Sequence, residues 1–188
     1  MPLLETIYEE FEFANDMQEI QASQLYQPYY VLLSHLFPPE EGYIVVPHYN
    51  PPIPSRSVEF KNIYTVKHNE ADVLFFLQVK SSEDLSNISS RQEADLQMQE
   101  KFRHITAAVR IGMLYGVCAM GTKICIYRLH VKTRLLSRSL ELVTNTAPVV
   151  DCWNIDILTP EGQGKLCKIA QHTKEMSTQI RQSCLISD

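Results

Sequence analysis

Hydrophobic residues recur at spacings near three and four over residues 5–37, and this periodicity predicts a helical first region. Pro28 is expected to kink or divide that helix, because proline lacks the N–H that continues the hydrogen-bond ladder. The doublet Pro38-Pro39 should end it. The apolar run at residues 43–46 then predicts a first strand.

The next segment predicts a pair of strands. Residues 47–54 contain four prolines and indicate an irregular loop. Residues 58–66 are rich in β-prone side chains, and residues 73–79 form a nearly continuous apolar run, typical of a central strand buried on both faces. The short polar connection at residues 67–70 predicts that these two strands form an antiparallel hairpin.

A second helix is predicted over residues 91–109, with Ser89 or Ser90 as its cap. Its apolar stripe follows offsets of four, three and four. The members of this stripe are Met98, Phe102, Ile105 and Val109.

The last third of the chain predicts a further hairpin and a closing helix. Residues 113–120 and 123–130 flank the turn Gly121-Thr122, and residues 135–143 suit another strand. Thr159 is placed as an N-cap with Pro160 at the first helical position, so a helix to about residue 181 is expected.

This order of elements predicts an α/β fold with a mixed central sheet flanked by helices. We expect one domain over residues 1–188, with its core at about 15–130 and the closing helix at about 160–181. The longest apolar stretches fall short of the ~20 residues of a membrane helix, so no membrane association is expected. The first ten residues lack features of a secretory signal, which predicts an intracellular protein, cytoplasmic or nuclear.

Five cysteines without a C-x-x-C pair disfavour a disulfide framework or a zinc site, so buried thiols are expected. The net charge of −5 is unevenly spread. Residues 1–55 hold eight acidic residues and no Lys or Arg, which leaves 14 acidic against 17 basic residues in the remainder. Between Glu100 and Glu141 eight basic residues occur without an acid, and they either form a phosphate-binding surface or lie on scattered solvated faces.

Candidate chemistry lies on the predicted hairpin. Glu59 belongs to its first strand, and Gln78-Val79-Lys80 closes the second. A carboxylate, an amide oxygen and an ammonium group would meet there if the strands pair side by side. Alternatively, Lys80 is a solvated residue at the end of an apolar strand.

This pattern, together with the element order, resembles the PD-(D/E)XK nuclease superfamily, whose shared core is helix, three strands, helix, strand. The superfamily motif is an acid on the second strand and (Asp/Glu)-x-Lys on the third, and the Gln-x-Lys form at residues 78–80 is similar to its Mrr-like branch. The segment also looks like stretches of uncharacterised fungal proteins. The resemblance covers about residues 15–130 and implies a restriction-endonuclease-like core.

The resemblance also implies residue roles. Glu59, Gln78 and Lys80 would be the catalytic residues, with Mg²⁺ or Mn²⁺ held by Glu59, Gln78 and the carbonyl of Val79. Glu19 is the first choice for a compensating carboxylate, and Glu93 and Asp95 are alternatives. Lys80 would stabilise negative charge on the nucleophile or the phosphoryl group.

Two leading functions remain open at this point, and a third, weaker alternative is a structural or assembly domain with its partner at the acidic N-terminal helix. The first is a metal-dependent nuclease that hydrolyses phosphodiester bonds, in DNA more than in RNA. The second is a catalytically inactive module on the same fold that binds nucleic acid or a protein partner, because an amide at Gln78 contributes no charge to a metal site. A homodimer is compatible with both. Substrate phosphates would be held by polar residues of the second predicted helix and its end, namely Gln97, Lys101, Arg103 and Arg110.

Overall fold

The computed structural model describes residues 5–15, 22–48, 63–68, 72–138 and 152–185. Four α-helices occur in this part of the chain: α1 (Glu5–Asn15), α2 (Tyr26–Leu36), α3 (Ile88–Ile105) and α4 (Pro160–Leu185). The strands are β1 (Tyr43–His48), β2 (Ile63–His68), β3 (Asp72–Lys80), β4 (Met113–Met120), β5 (Lys123–His130), β6 (Leu135–Arg138) and β7 (Ile155–Asp156).

All seven strands belong to one mixed sheet with the order β1-β2-β3-β4-β5-β6, and β7 also pairs with β5. The first three strands form an antiparallel meander. The crossover through α3 makes β4 parallel to β3, and β4 and β5 are again antiparallel. The strands β3 and β4 lie in the middle of this order and are buried along nearly their whole length.

The helices divide between the two faces of the sheet. Adjacent residues of a strand point to opposite faces, and Phe76 packs on Phe102 of α3 with ring centroids 4.7 Å apart. Its neighbour Phe75 packs on Phe37, which directly follows α2. The sheet is therefore a central layer with α3 on one face and α2 and α4 on the other.

The predicted α/β architecture and several of its elements are confirmed. Residues 73–79 are all buried within β3, which pairs with β2 as an antiparallel hairpin. The β4–β5 hairpin turns at Gly121, whose φ of 63° is readily adopted by glycine. The Thr159 hydroxyl accepts a hydrogen bond from the Gly162 N–H at 3.2 Å, as expected of an N-cap.

Two predictions about helix boundaries are wrong. Pro28 neither kinks nor divides a helix: it lies in the first turn of α2, where its missing N–H has no intrahelical partner to lose. The helix α3 starts at Ile88 rather than near residue 91, and its cap is Asn87. The Asn87 side chain accepts hydrogen bonds from the N–H groups of Ser89 and Ser90, the two residues expected to be caps.

Other expectations fall partly outside the described residues. The predicted strand at 58–66 is observed from Ile63 onward, and that at 135–143 is observed to Arg138. None of the helices in the described ranges has the length and apolar character needed to cross a membrane.

Candidate functional site

Gln78 and Lys80 lie on the central strand β3 and, two residues apart, point to the same face of the sheet. That face is the one covered by α3, because Gln78 contacts Gln97 of this helix. In the strand register, Gln78 lies opposite Ile63 of β2 and Cys118 of β4. The predicted convergence of these two residues with Glu59 stays a prediction, because Glu59 lies outside the described residues.

The Gln78 amide is buried and hydrogen-bonded at both ends. Only 2% of the residue is exposed. Its Nε2 donates to Gln97 Oε1 at 2.8 Å, and its Oε1 accepts from the Cys118 thiol at 3.8 Å. The amide thus fixes the packing of α3 on β3 and β4.

Burial keeps the Cys118 thiol protonated. It raises the pKa of Cys118 to about 12, and the positive charge of Lys80 opposes this shift. Because the sulfur retains its proton at neutral pH, it serves as a weak donor to the Gln78 oxygen. Lys80 itself is half-buried at the end of the strand, near this thiol.

A line of polar groups continues from Gln78 along α3. Gln97 accepts from Gln78 and in turn donates from its Nε2 to Glu93 Oε1 at 3.0 Å. Glu93 is exposed, so this line runs from the buried strand to the surface of the helix. Of the two alternative carboxylates on α3, Glu93 is thus the one that is linked to Gln78, through Gln97.

Asp95, the other alternative carboxylate on α3, belongs to a different centre. Its two oxygens accept from Arg138 Nε and Nη2, each at 2.6 Å, in a bidentate ion pair. The Tyr127 hydroxyl and the Gln99 amide donate to the same carboxylate at 3.0 and 2.6 Å. With four donors and 3% exposure, Asp95 ties α3 to β5 and β6 and is not a candidate metal ligand.

Sequence reasoning missed this ion pair. Asp95 and Arg138 are 43 positions apart, and no local spacing connects them. The sequence indicates Asp95 only as a candidate ligand and Arg138 only as one member of the basic stretch. An isolated acid between the apolar positions Ala94 and Met98 was the available signal, since a buried charge needs a partner.

The predicted phosphate-binding residues do not form one surface. Lys101 is half-buried, its pKa is lowered by burial, and its charge lowers the pKa of His48 on β1. Arg103 is exposed on the other flank of α3, and Arg110 lies 3.9 Å from Asp72. Gln97 is occupied by Gln78 and Glu93.

Part of the basic stretch does meet at a groove. Arg103 and Arg134 both line a cavity of about 290 Å³ between the end of α3 and strands β5 and β6. Phe102, Leu129 and Leu136 supply apolar lining. In contrast, Arg138 and Lys123 are taken up by ion pairs with Asp95 and Asp156. Of the eight basic residues, Lys123 and Arg138 thus belong to ion pairs, and Arg103 and Arg134 belong to this groove.

The proposed metal ligands are only partly within the described residues. Glu59 and Glu19 lie outside them, whereas Gln78 and Val79 are buried in β3. Within the described ranges no three His, Cys, Asp or Glu side chains group around one point. The Gln78 oxygen already accepts the Cys118 proton, and Mg²⁺ sites usually rely on carboxylates. The described side chains around Gln78 thus do not fit a divalent cation in this arrangement.

The fold and this site define an α/β domain with an open mixed sheet and a buried polar centre beneath one helix. Comparison with protein-family models, curated proteins and solved structures finds no match.

Proposed function

We propose that this chain is a nucleic-acid-binding module on a nuclease-type fold, without metal-dependent cleavage. The observation that carries this proposal is the Gln78 amide, which is 2% exposed and bonded to both Gln97 and Cys118. A metal ligand needs a lone pair directed at an accessible site. Both ends of this amide are instead bonded within the protein, one to α3 and the other to β4. The position that would carry a catalytic carboxylate thus has a structural role.

The nuclease-type core is part of the proposal. Its support is the order of helix, three strands, helix and strand in the described chain, with β1, β2 and β3 antiparallel. The strand after α3 is parallel to β3, so the Gln-x-Lys strand lies at the middle of the sheet. This arrangement agrees with the core that the sequence resemblance implies.

The groove between α3 and β6 is the proposed binding surface, and DNA is the proposed ligand. Arg103 and Arg134 supply two positive charges there, and arginine binds phosphate groups with paired N–H donors. Apolar lining beside the arginines suits contact with sugars or bases.

The test is the affinity of labelled duplex DNA for the wild type and for the double variant Arg103→Gln, Arg134→Gln, measured by fluorescence anisotropy over a salt series. Loss of two phosphate contacts should weaken binding at least tenfold and lower the salt slope by about 2. Lys168→Gln, on the exposed surface of α4, is the matched control and should bind like the wild type. Equal affinity of the double variant and the wild type would contradict the assignment of the groove.

A second function, metal-dependent hydrolysis of DNA, is favoured by a different observation. Gln78 and Lys80 share one face of β3, and Glu93 is linked to Gln78 through Gln97. The chain's contribution would be the carboxylates of Glu59 and Glu93 as ligands, with Lys80 holding negative charge near the phosphate. Glu19 is a further carboxylate for this candidate.

Plasmid DNA separates the two functions. With Mg²⁺ or Mn²⁺ present, the binding module leaves supercoiled plasmid intact at protein concentrations that shift its mobility. Nicking that requires metal and disappears in Lys80→Ala and Glu59→Gln would overturn our proposal and establish the nuclease. The Lys168→Gln variant should behave like the wild type in either case.

A further inference from the structure

Three of the five cysteines come together at the α3 side of the sheet. Cys118 and Cys125 lie directly opposite each other in the β4–β5 ladder, and they are 0% and 1% exposed. The expectation of buried thiols is confirmed for this pair. Cys152, by contrast, is half-buried, as is Cys167 on α4.

Two contacts bring Cys152 alongside β5. The strand β7 pairs with β5 through Ile155 and Ile124, so the chain just before β7 runs beside this strand. Trp153 Nε1 donates to the carbonyl oxygen of Cys118 at 3.0 Å, which anchors the residue next to Cys152. Consistent with this placement, Cys152 is a hydrogen-bond partner of the Cys125 thiol.

The two contacting thiols differ in access. Cys125 is enclosed by the sheet, whereas Cys152 is partly exposed to solvent. Arg138 is close enough to Cys152 to interact with it electrostatically. This arrangement of an accessible thiol beside a second, sheltered thiol is typical of redox-sensitive cysteines.

We propose that Cys152 and Cys125 form a reversible disulfide in response to hydrogen peroxide. Cys152 is the thiol that meets the oxidant, and Cys125 is the thiol that resolves the product. The proposal is independent of nucleic-acid binding, because neither cysteine lines the groove of Arg103 and Arg134.

The chemistry takes two steps. In the first, the Cys152 sulfur attacks one peroxide oxygen, the S–O bond forms as the O–O bond breaks, and the departing hydroxide takes a proton to become water. In the second, the Cys125 sulfur attacks the sulfenic acid of Cys152, and the S–S bond forms as the S–O bond breaks. The hydroxide leaves with the Cys125 proton as a second water, so two thiols are oxidised by two electrons and one peroxide is reduced.

Cys118 is excluded as the resolving thiol by its own bonds. Its S–H donates to Gln78 Oε1, whereas the Cys125 thiol contacts Cys152. Formation of the disulfide should thus leave the Gln78 centre unchanged.

The experiment treats the full chain with stoichiometric hydrogen peroxide, blocks remaining thiols with iodoacetamide and analyses tryptic peptides by mass spectrometry. The expected product joins the peptide of residues 124–128, which holds Cys125, to that of residues 139–165, which holds Cys152. Dithiothreitol should separate them again. Cys118, in the peptide of residues 111–123, should remain alkylated.

Variants distinguish the roles of the two thiols. Cys152→Ser should abolish the cross-link, and Cys125→Ser should leave a Cys152 sulfenic acid that dimedone labels. Cys167→Ser, which changes a half-buried thiol elsewhere, is the matched control and should retain the cross-link. The proposal is overturned if wild-type protein forms no 125–152 cross-link, or if peroxide joins Cys118 to Cys125 instead. Because the wild-type result alone decides between these outcomes, a variant that fails to fold does not affect the conclusion.

Discussion

The two faces of the sheet are built from different chemistry. On the side of α2 and α4 aromatic contacts are prominent, as in the packing of Phe37 on Phe75 with centroids 5.6 Å apart, and the buried polar groups of α4 are the uncharged Thr173 and Ser177. On the α3 side, the Gln78 amide and the Asp95 carboxylate are buried beneath a single helix. The apolar face gains stability from area removed from water, whereas the α3 face depends on a few hydrogen bonds that must all be made.

This difference explains why the candidate site lies where it does. Buried polar groups are costly unless paired, so a face that retains an amide, a charge and thiols needs specific partners from other elements. The partners come from α3, β4, β5 and β6, and they fix the position of α3 over the sheet. The α3 face is thus the one where a small change should have a large effect.

The largest loss of stability is expected from Asp95→Asn, which removes the buried negative charge on the α3 face. Arg138 would lose its bidentate partner in a partly buried position, and breaking such a pair costs about 3 kcal/mol. The measurement is the free energy of unfolding from urea denaturation. Glu161→Gln on α4 removes an exposed pair with Lys165 and should leave the free energy of unfolding nearly unchanged. A similar small loss in Asp95→Asn would break the contrast between the faces.

Much of the apolar framework could be predicted from the sequence, because it depends on local patterns. The uninterrupted run of residues 73–79 predicted the central strand, and Gly121-Thr122 predicted the β4–β5 turn. The predicted kink at Pro28 was wrong because the periodic pattern of residues 5–37 does not show where a helix begins. A proline in the first turn of a helix and one in its interior therefore give the same signal. The Asn87 cap was missed because Ser89 and Ser90 are equally good capping residues two positions later.

The candidate site was predictable only in part, since its contacts are made over long sequence distances. The spacing of two between Gln78 and Lys80 is enough to put both on one side of a strand. No pattern in the sequence indicates that Gln78 is bonded to Cys118, which lies 40 positions away on the parallel neighbour. The crossover through α3 brings these strands together, and only the folded chain shows that the amide is buried.

A second, smaller effect is expected from Gly116→Ala on β4. An added Cβ would lie 2.6 Å from Phe76 Cζ and 2.9 Å from Phe102 Cζ, so the aromatic contact between β3 and α3 would have to shift. Overpacking of this kind costs about 2 kcal/mol. Gly112→Ala is the matched control, because its Cβ would meet no atom within 4 Å. Equal thermal stability of the two variants would show that α3 packs more loosely than its contacts indicate.

The smallest predicted loss of stability concerns the contact between His68 of β2 and Arg181 of α4, on the opposite face of the sheet. Arg181 Nη1 lies 2.8 Å from His68 Nε2, and a guanidinium can only donate, so this nitrogen is unprotonated. Burial lowers the pKa of His68, the charge of Arg181 lowers it further, and Asp72 opposes the shift. Protonation would convert the acceptor to a donor and break the contact.

The sign of the pH dependence follows from this lowered pKa. The unfolded chain takes up a proton at His68 near the ordinary value of about 6.5, while folded His68 stays neutral to lower pH. The contribution is complete above pH 6.5 and is lost as the pH falls towards the pKa of the folded state. Between pH 7 and 5.5 the loss should be at most ~1 kcal/mol.

Urea unfolding at both pH values should show a smaller loss of stability for His68→Gln than for the wild type, with exposed His104→Gln as the control. An unchanged pH dependence in His68→Gln would place the acid sensitivity elsewhere, with His48, whose pKa is also lowered by burial, as the next residue to replace.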